Sequence, residues 1–69
     1  MDQKFKVKGD YIELTKLLKV TGLCGTGGHA KMVIENRLIT VDGEVEIRKG
    51  RKIRKGMIVQ YANDIVKVI

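Results

Sequence analysis

The sequence predicts an α+β fold: two short helices packed on a small, mostly antiparallel sheet of short strands. Three observations predict it. Leu14, Leu17 and Leu18 recur at helical spacing, and Ala30, Val33 and Ile34 repeat that spacing after a glycine-rich link. From Leu38 onward the apolar residues instead alternate by two around the turn pair Asp42-Gly43. Helices that precede a run of strands, rather than alternating with them, fit an α+β layering. With 69 residues the chain is expected to form one domain over 1–69. A domain of that size buries only about 60% of its unfolded surface, so its core is thin.

The elements follow in order. Phe5 and Val7 alternate with Lys4, Lys6 and Lys8, the pattern of a strand with one wet face. Gly9-Asp10 ends it. Asp10 with Glu13 three residues later is a capping-box spacing, so a first helix is expected over Tyr11 to Thr21, stopped by Gly22. Thr26 caps a second helix expected over Gly27 to Arg37. Two alternating runs flank Asp42-Gly43, a hairpin signal. A two-residue loop would set Val41 opposite Glu44 and Ile39 opposite Glu46, splitting the apolar residues between two faces. A three-residue bulged loop sets Ile39 opposite Val45, and that loop is the expectation. Ile53 pins the following basic segment to the core. Met57 to Tyr61 and Ile65 to Ile69 read as the last strands, joined by a turn at Asn63-Asp64.

Fourteen Lys and Arg against eight Asp and Glu leave a net charge of +6. In so short a chain this points to a polyanionic partner: RNA, DNA, an anionic membrane surface or an acidic protein. One cysteine, Cys24, rules out an internal disulfide and a Cys-rich zinc site, and no ligand cluster suggests a metal. Met1-Asp2-Gln3-Lys4 leads into no apolar run, so neither a signal peptide nor a membrane span is expected, and a cytoplasmic location is.

Two segments carry functional signal. In Arg48 to Lys55, six of eight residues are basic and glycine bends the chain. Arginine forks match phosphate oxygens, and a flexible basic loop beside a hairpin can follow a phosphate backbone. The second segment is Thr26-Gly27-Gly28-His29-Ala30-Lys31. A helix start offers free backbone N–H groups and partial positive charge to a phosphate. Its spacing is neither a P-loop nor a dinucleotide fingerprint. The chain has no serine, and Cys24 and His29 are joined by a glycine-rich link with no fixed geometry, so no catalytic residue and no cofactor is expected. Phe5, Tyr11 and Tyr61 all fall at expected core positions, which argues for recognition of backbone and shape rather than stacked bases.

These motifs in this order resemble the S-four RNA-binding domain, or alpha-L motif. The residues that carry the resemblance are Leu14, Leu17 and Leu18, then Thr26-Gly27-Gly28-His29-Ala30-Lys31, Ile39-Thr40-Val41-Asp42-Gly43 and Gly56-Met57-Ile58-Val59-Gln60-Tyr61. They span residues 11–61. The family's arginine after the helix cap is here Gly27, and its aspartate after the last glycine is Met57. The pattern is similar to that of small free-standing bacterial members. The resemblance implies a non-catalytic, monomeric binder of structured RNA, ribosomal or transfer RNA, associated with translation or the ribosome and not with membranes. It implies a surface running from the start of helix two to the loops around the hairpin. Lys31, Arg37, Arg48, Lys49, Arg51, Lys52 and Lys55 are the expected phosphate contacts, with Gly27, Gly28 and His29 beside them. A module docking on an acidic or ribosomal protein is the alternative from another class.

Overall fold

Leu14, Leu17 and Leu18 are fully buried, and so are Ala30, Val33 and Ile34; these two triplets pack the helices on one face of the sheet. The computed structural model describes residues 2–69. Its elements are β1 (Asp2–Phe5), β2 (Ile12–Glu13), α1 (Leu14–Val20), α2 (Gly27–Glu35), β3 (Ile39–Val41), β4 (Glu44–Val45), β5 (Lys52–Ile53), β6 (Ile58–Tyr61) and β7 (Asp64–Val68). Five strands form one sheet in the order β1-β7-β6-β3-β4, and β2 with β5 forms a separate two-stranded ladder. All pairings are antiparallel except β1 with β7. Ile39, Val41, Val59, Val66 and Val68 complete the core from the sheet side, and Ile53 closes it from β5.

The second helix begins where expected. The Thr26 hydroxyl accepts from the His29 backbone N–H at 3.0 Å. It ends two residues early: Arg37, expected inside it, has φ 63°, the left-handed conformation that turns the chain into β3. The first helix starts at Leu14 instead of Tyr11, and the Asp10 capping box does not form. Ile12 and Glu13 are drawn into a ladder with Ile53 and Lys52. The first donors of α1 then find long-range acceptors: Leu14 N–H donates to the Arg51 carbonyl at 2.9 Å, and Thr15 N–H to the Lys49 carbonyl at 3.3 Å. Gly22, at φ 81°, ends the helix as expected. The last hairpin turns at Ala62-Asn63, one residue before the expected Asn63-Asp64, so β7 starts at Asp64.

The expected bulged hairpin is corrected by the register. Val41 faces Glu44 and Thr40 faces Val45, the two-residue loop. Asp42 and Gly43 both take positive φ, 52° and 86°, the type I′ geometry whose twist suits a hairpin. Asp42 is held there from the neighbouring strand: its N–H donates to the Ile58 carbonyl at 2.8 Å, and its carboxylate accepts from the Ile58 N–H at 2.9 Å. The apolar residues after the turn therefore face outward, with Val45 and Ile47 half exposed, while Glu46 is 5% exposed.

Candidate nucleic-acid interface

A buried carboxylate needs partners, and Glu46 has four donors. Its Oε2 accepts from the Arg48 backbone N–H and from Arg48 Nε, both at 3.0 Å. Its Oε1 accepts from Arg48 Nη2 at 3.2 Å and from Arg51 Nη1 at 2.6 Å. The Arg48 fork holds the Glu46 carboxyl down at about 2, against an ordinary value of 4.5; burial pushes the other way and is outweighed. The same contact raises Arg48. Both arginines are held in place, yet their side chains remain 69% and 30% exposed. Glu46 was missed by the sequence reading, which turned this residue to solvent and Val45 to the core.

The segment that carries the arginines was expected to be flexible, but several contacts fix it. The Lys49 carbonyl accepts from both the Thr15 N–H and, at 2.8 Å, the Thr15 hydroxyl. Ile53 is fully buried. A groove lined by Arg48, Gly50, Arg51, Lys52, Arg54 and Met57 runs along the result. Tyr11, expected in the core, is 42% exposed. Its ring lies 5.1 Å from Lys52 Nζ and 5.7 Å from the Arg54 guanidinium carbon, both within cation–π range. Phe5 and Tyr61 do pack against the core as expected.

The start of α2 meets α1 rather than the hairpin. Gly27 and Lys31 border a concavity shared with Glu13, Thr15, Lys16 and Lys19. A Cβ at Gly27 would stand 3.8 Å from Lys19 Cδ, so there is room for a side chain there. Thr15 borders this concavity and also binds the Lys49 carbonyl, so the Lys31 region and the arginine segment lie on either side of one helical turn. Gly28 is exposed, and the His29 ring sits edge-on to Tyr61, centroids 6.5 Å apart. Arg37 and Lys55 are exposed but border neither concavity. Lys16, Lys19, Arg54 and Tyr11 were not among the expected site residues; the meeting of α1 with α2 brings Lys16 and Lys19 beside Lys31, and the pairing of β2 with β5 brings Tyr11 beside Lys52 and Arg54.

Residues 5–69 match the family model described as S4 domain. The chain belongs to the S4 domain family. This S4 domain is 40% identical over 62 residues to the YbcJ protein of Escherichia coli (strain K12), covering 90% of this chain and 89% of that one. The same figures hold for the YbcJ protein of Shigella flexneri. The solution structure of E. coli YbcJ, described as revealing an alfaL motif involved in RNA binding, superposes with a TM-score of 0.74 at 39% identity over 96% of this chain and 85% of that one. The expected alpha-L architecture is thus the architecture of this S4 domain. Among the described residues no helix is long and apolar enough to cross a membrane, and no group of three or more His, Cys, Asp or Glu could hold a metal ion. Cys24 is buried, and burial raises its thiol above the ordinary value.

Proposed function

We propose that this chain is a non-catalytic RNA-binding protein that grips the phosphate backbone of structured RNA. The gripping surface runs from Lys31 and Gly27 at the start of α2, across Lys16 and Lys19, to Arg48, Lys49, Arg51 and Lys52. The observation that carries the reading is the Glu46 clamp. A solvated charge run needs no buried carboxylate to orient it, whereas phosphate recognition gains from arginine forks held ready before binding. Family membership and the RNA-binding motif described for E. coli YbcJ support RNA over DNA as the polyanion. Ribosomal or transfer RNA in the cytoplasm, bound by the monomer, is the target proposed.

The test is a titration against a hairpin RNA at several salt concentrations. Each neutralised phosphate releases counterions, so the logarithm of the affinity should fall by about 0.9 per phosphate for each tenfold rise in salt on a duplex. A slope of roughly −3 or steeper is expected. No binding at low salt, or an affinity that ignores salt, overturns the proposal. Mass spectrometry of the recovered RNA should show it intact; a cleaved or modified product would overturn the non-catalytic part.

A further inference from the structure

A third concavity, of about 390 Å³, lies between the end of β1 and α1. Its size falls in the range of roughly 300–1,000 Å³ typical of small-molecule pockets. Phe5, Ile12 and Val20 give it apolar surface, and Tyr11 forms part of its wall. Lys6, Lys8 and Lys16 stand around it, all exposed. No Asp or Glu borders it. Tyr11 also carries Lys52 and Arg54 against its ring, and both of those line the arginine groove. One aromatic ring therefore joins a cationic groove to an apolar recess rimmed by cations.

An apolar recess with an aromatic wall and only positive charges at its mouth suits a flat, uncharged group attached to an anionic chain. A lipid acyl chain would need a longer apolar channel, and an acidic peptide side chain would put a carboxylate where the recess is apolar. We propose that this recess takes one unpaired nucleobase of the bound RNA, stacked on Tyr11, with its flanking phosphates on Lys6, Lys8 and Lys16. This rests on the RNA-binding reading above and deepens it. The protein would select helical RNA that carries a bulged or overhanging nucleotide, not an unbroken duplex. Stacking is sequence-tolerant because every base offers a π face, so the preference is for an unpaired position and not for a particular base.

The experiment compares two hairpin RNAs of equal length, one fully paired and one with a single bulged 2-aminopurine, against wild type, Tyr11→Leu and Tyr11→Phe. Tyr11 is 42% exposed, so leucine leaves the core untouched, and circular dichroism checks the fold. Wild type should prefer the bulged RNA by about tenfold, within the range that one base–aromatic stack supplies. Bulge fluorescence should fall on binding. Tyr11→Leu should lose the tenfold preference and the fluorescence change, whatever the loss of its Lys52 and Arg54 contacts does to affinity for the paired hairpin, and Tyr11→Phe should keep both. Equal affinity of wild type for the two RNAs, or a Tyr11→Leu loss that is the same for both, overturns the base site and leaves RNA binding standing. Failure to bind either RNA overturns the RNA reading, and the base site with it.

Discussion

Replacing Glu46 by glutamine sets the clamp against simple charge. The substitution keeps the shape of the side chain and raises the net charge of the protein by one. A surface that works only as a positive field should then bind RNA slightly more tightly. The structure predicts the opposite. Glu46 organises Arg48 and Arg51 through three side-chain bonds of 2.6 to 3.2 Å, and an amide with one acceptor oxygen cannot hold both forks. Ordering a rotamer-rich side chain at an interface generally costs about 0.5–1.5 kcal/mol. Releasing the pair should therefore weaken hairpin RNA binding roughly tenfold. The fold should also suffer. Hydrogen bonds to a charged group are generally worth about 1.5–3 kcal/mol, but both arginines can turn to water, so a loss of about 1–2 kcal/mol is expected. In a domain this small that is a fall of roughly 4–16 °C in Tm. Fluorescence anisotropy at fixed salt, on protein shown folded by its melt, gives both numbers. Unchanged or tighter RNA binding by Glu46→Gln would refute the clamp as a positioning device.

Three further outcomes are expected. Because folding lowers the Glu46 carboxyl from 4.5 to about 2, its contribution is fully present above pH 4.5 and is lost as pH falls through 2. Discounted for the exposed arginines, this is about 1–2 kcal/mol, and chemical denaturation at pH 6 and pH 2.5 should show a smaller acid loss in Glu46→Gln than in wild type. Gly43→Val should cost about 1–3 kcal/mol through backbone strain, since φ is 86° and nothing lies within 4 Å of the added Cβ; an unchanged melting curve would contradict the hairpin geometry. Reversing Lys49 and Lys52 to glutamate should weaken RNA binding at least tenfold more than reversing Lys4 and Lys67, which face each other across β1 and β7; equal losses would reduce the site to a diffuse charge.

What the sequence could show was local. The Thr26 cap, the apolar spacing of α2 and the triplet Leu14, Leu17 and Leu18 each depend on neighbours a few residues away, and each is found where the pattern puts it. The start of α1 is not local. Asp10 and Glu13 make a sound capping box on paper, but β2 pairs with β5, and the loop carbonyls of Lys49 and Arg51 satisfy the helix from 34 or more residues away. The hairpin failed for a more instructive reason. Turning Val45 inward follows the rule that apolar residues are buried, and it overrode the plain two-residue signal of Asp42-Gly43. Glu46 can occupy the inner position because two arginines follow it within five residues. Reading a carboxylate together with the basic residues downstream would have exposed the clamp. Tyr11 was misplaced by the same error as the helix: once residues 12 and 13 are strand, the ring no longer lies on a buried helical face.

The parallel pairing of β1 with β7 bears on how the molecule assembles. Nearly all the described sequence lies between Asp2 and its partner Ile65. The entropy lost on closing a loop grows with the logarithm of its length, and pairings of high sequence separation slow folding. The β6–β7 hairpin, by contrast, closes over a two-residue turn. This separation makes β1 the strand expected to dock last, onto an edge that the hairpin has already built. Phe5 and Lys6 arrive with it. The recess beside Tyr11 is completed only in that final step, so a folding intermediate lacking β1 would present the arginine groove before it could present the recess.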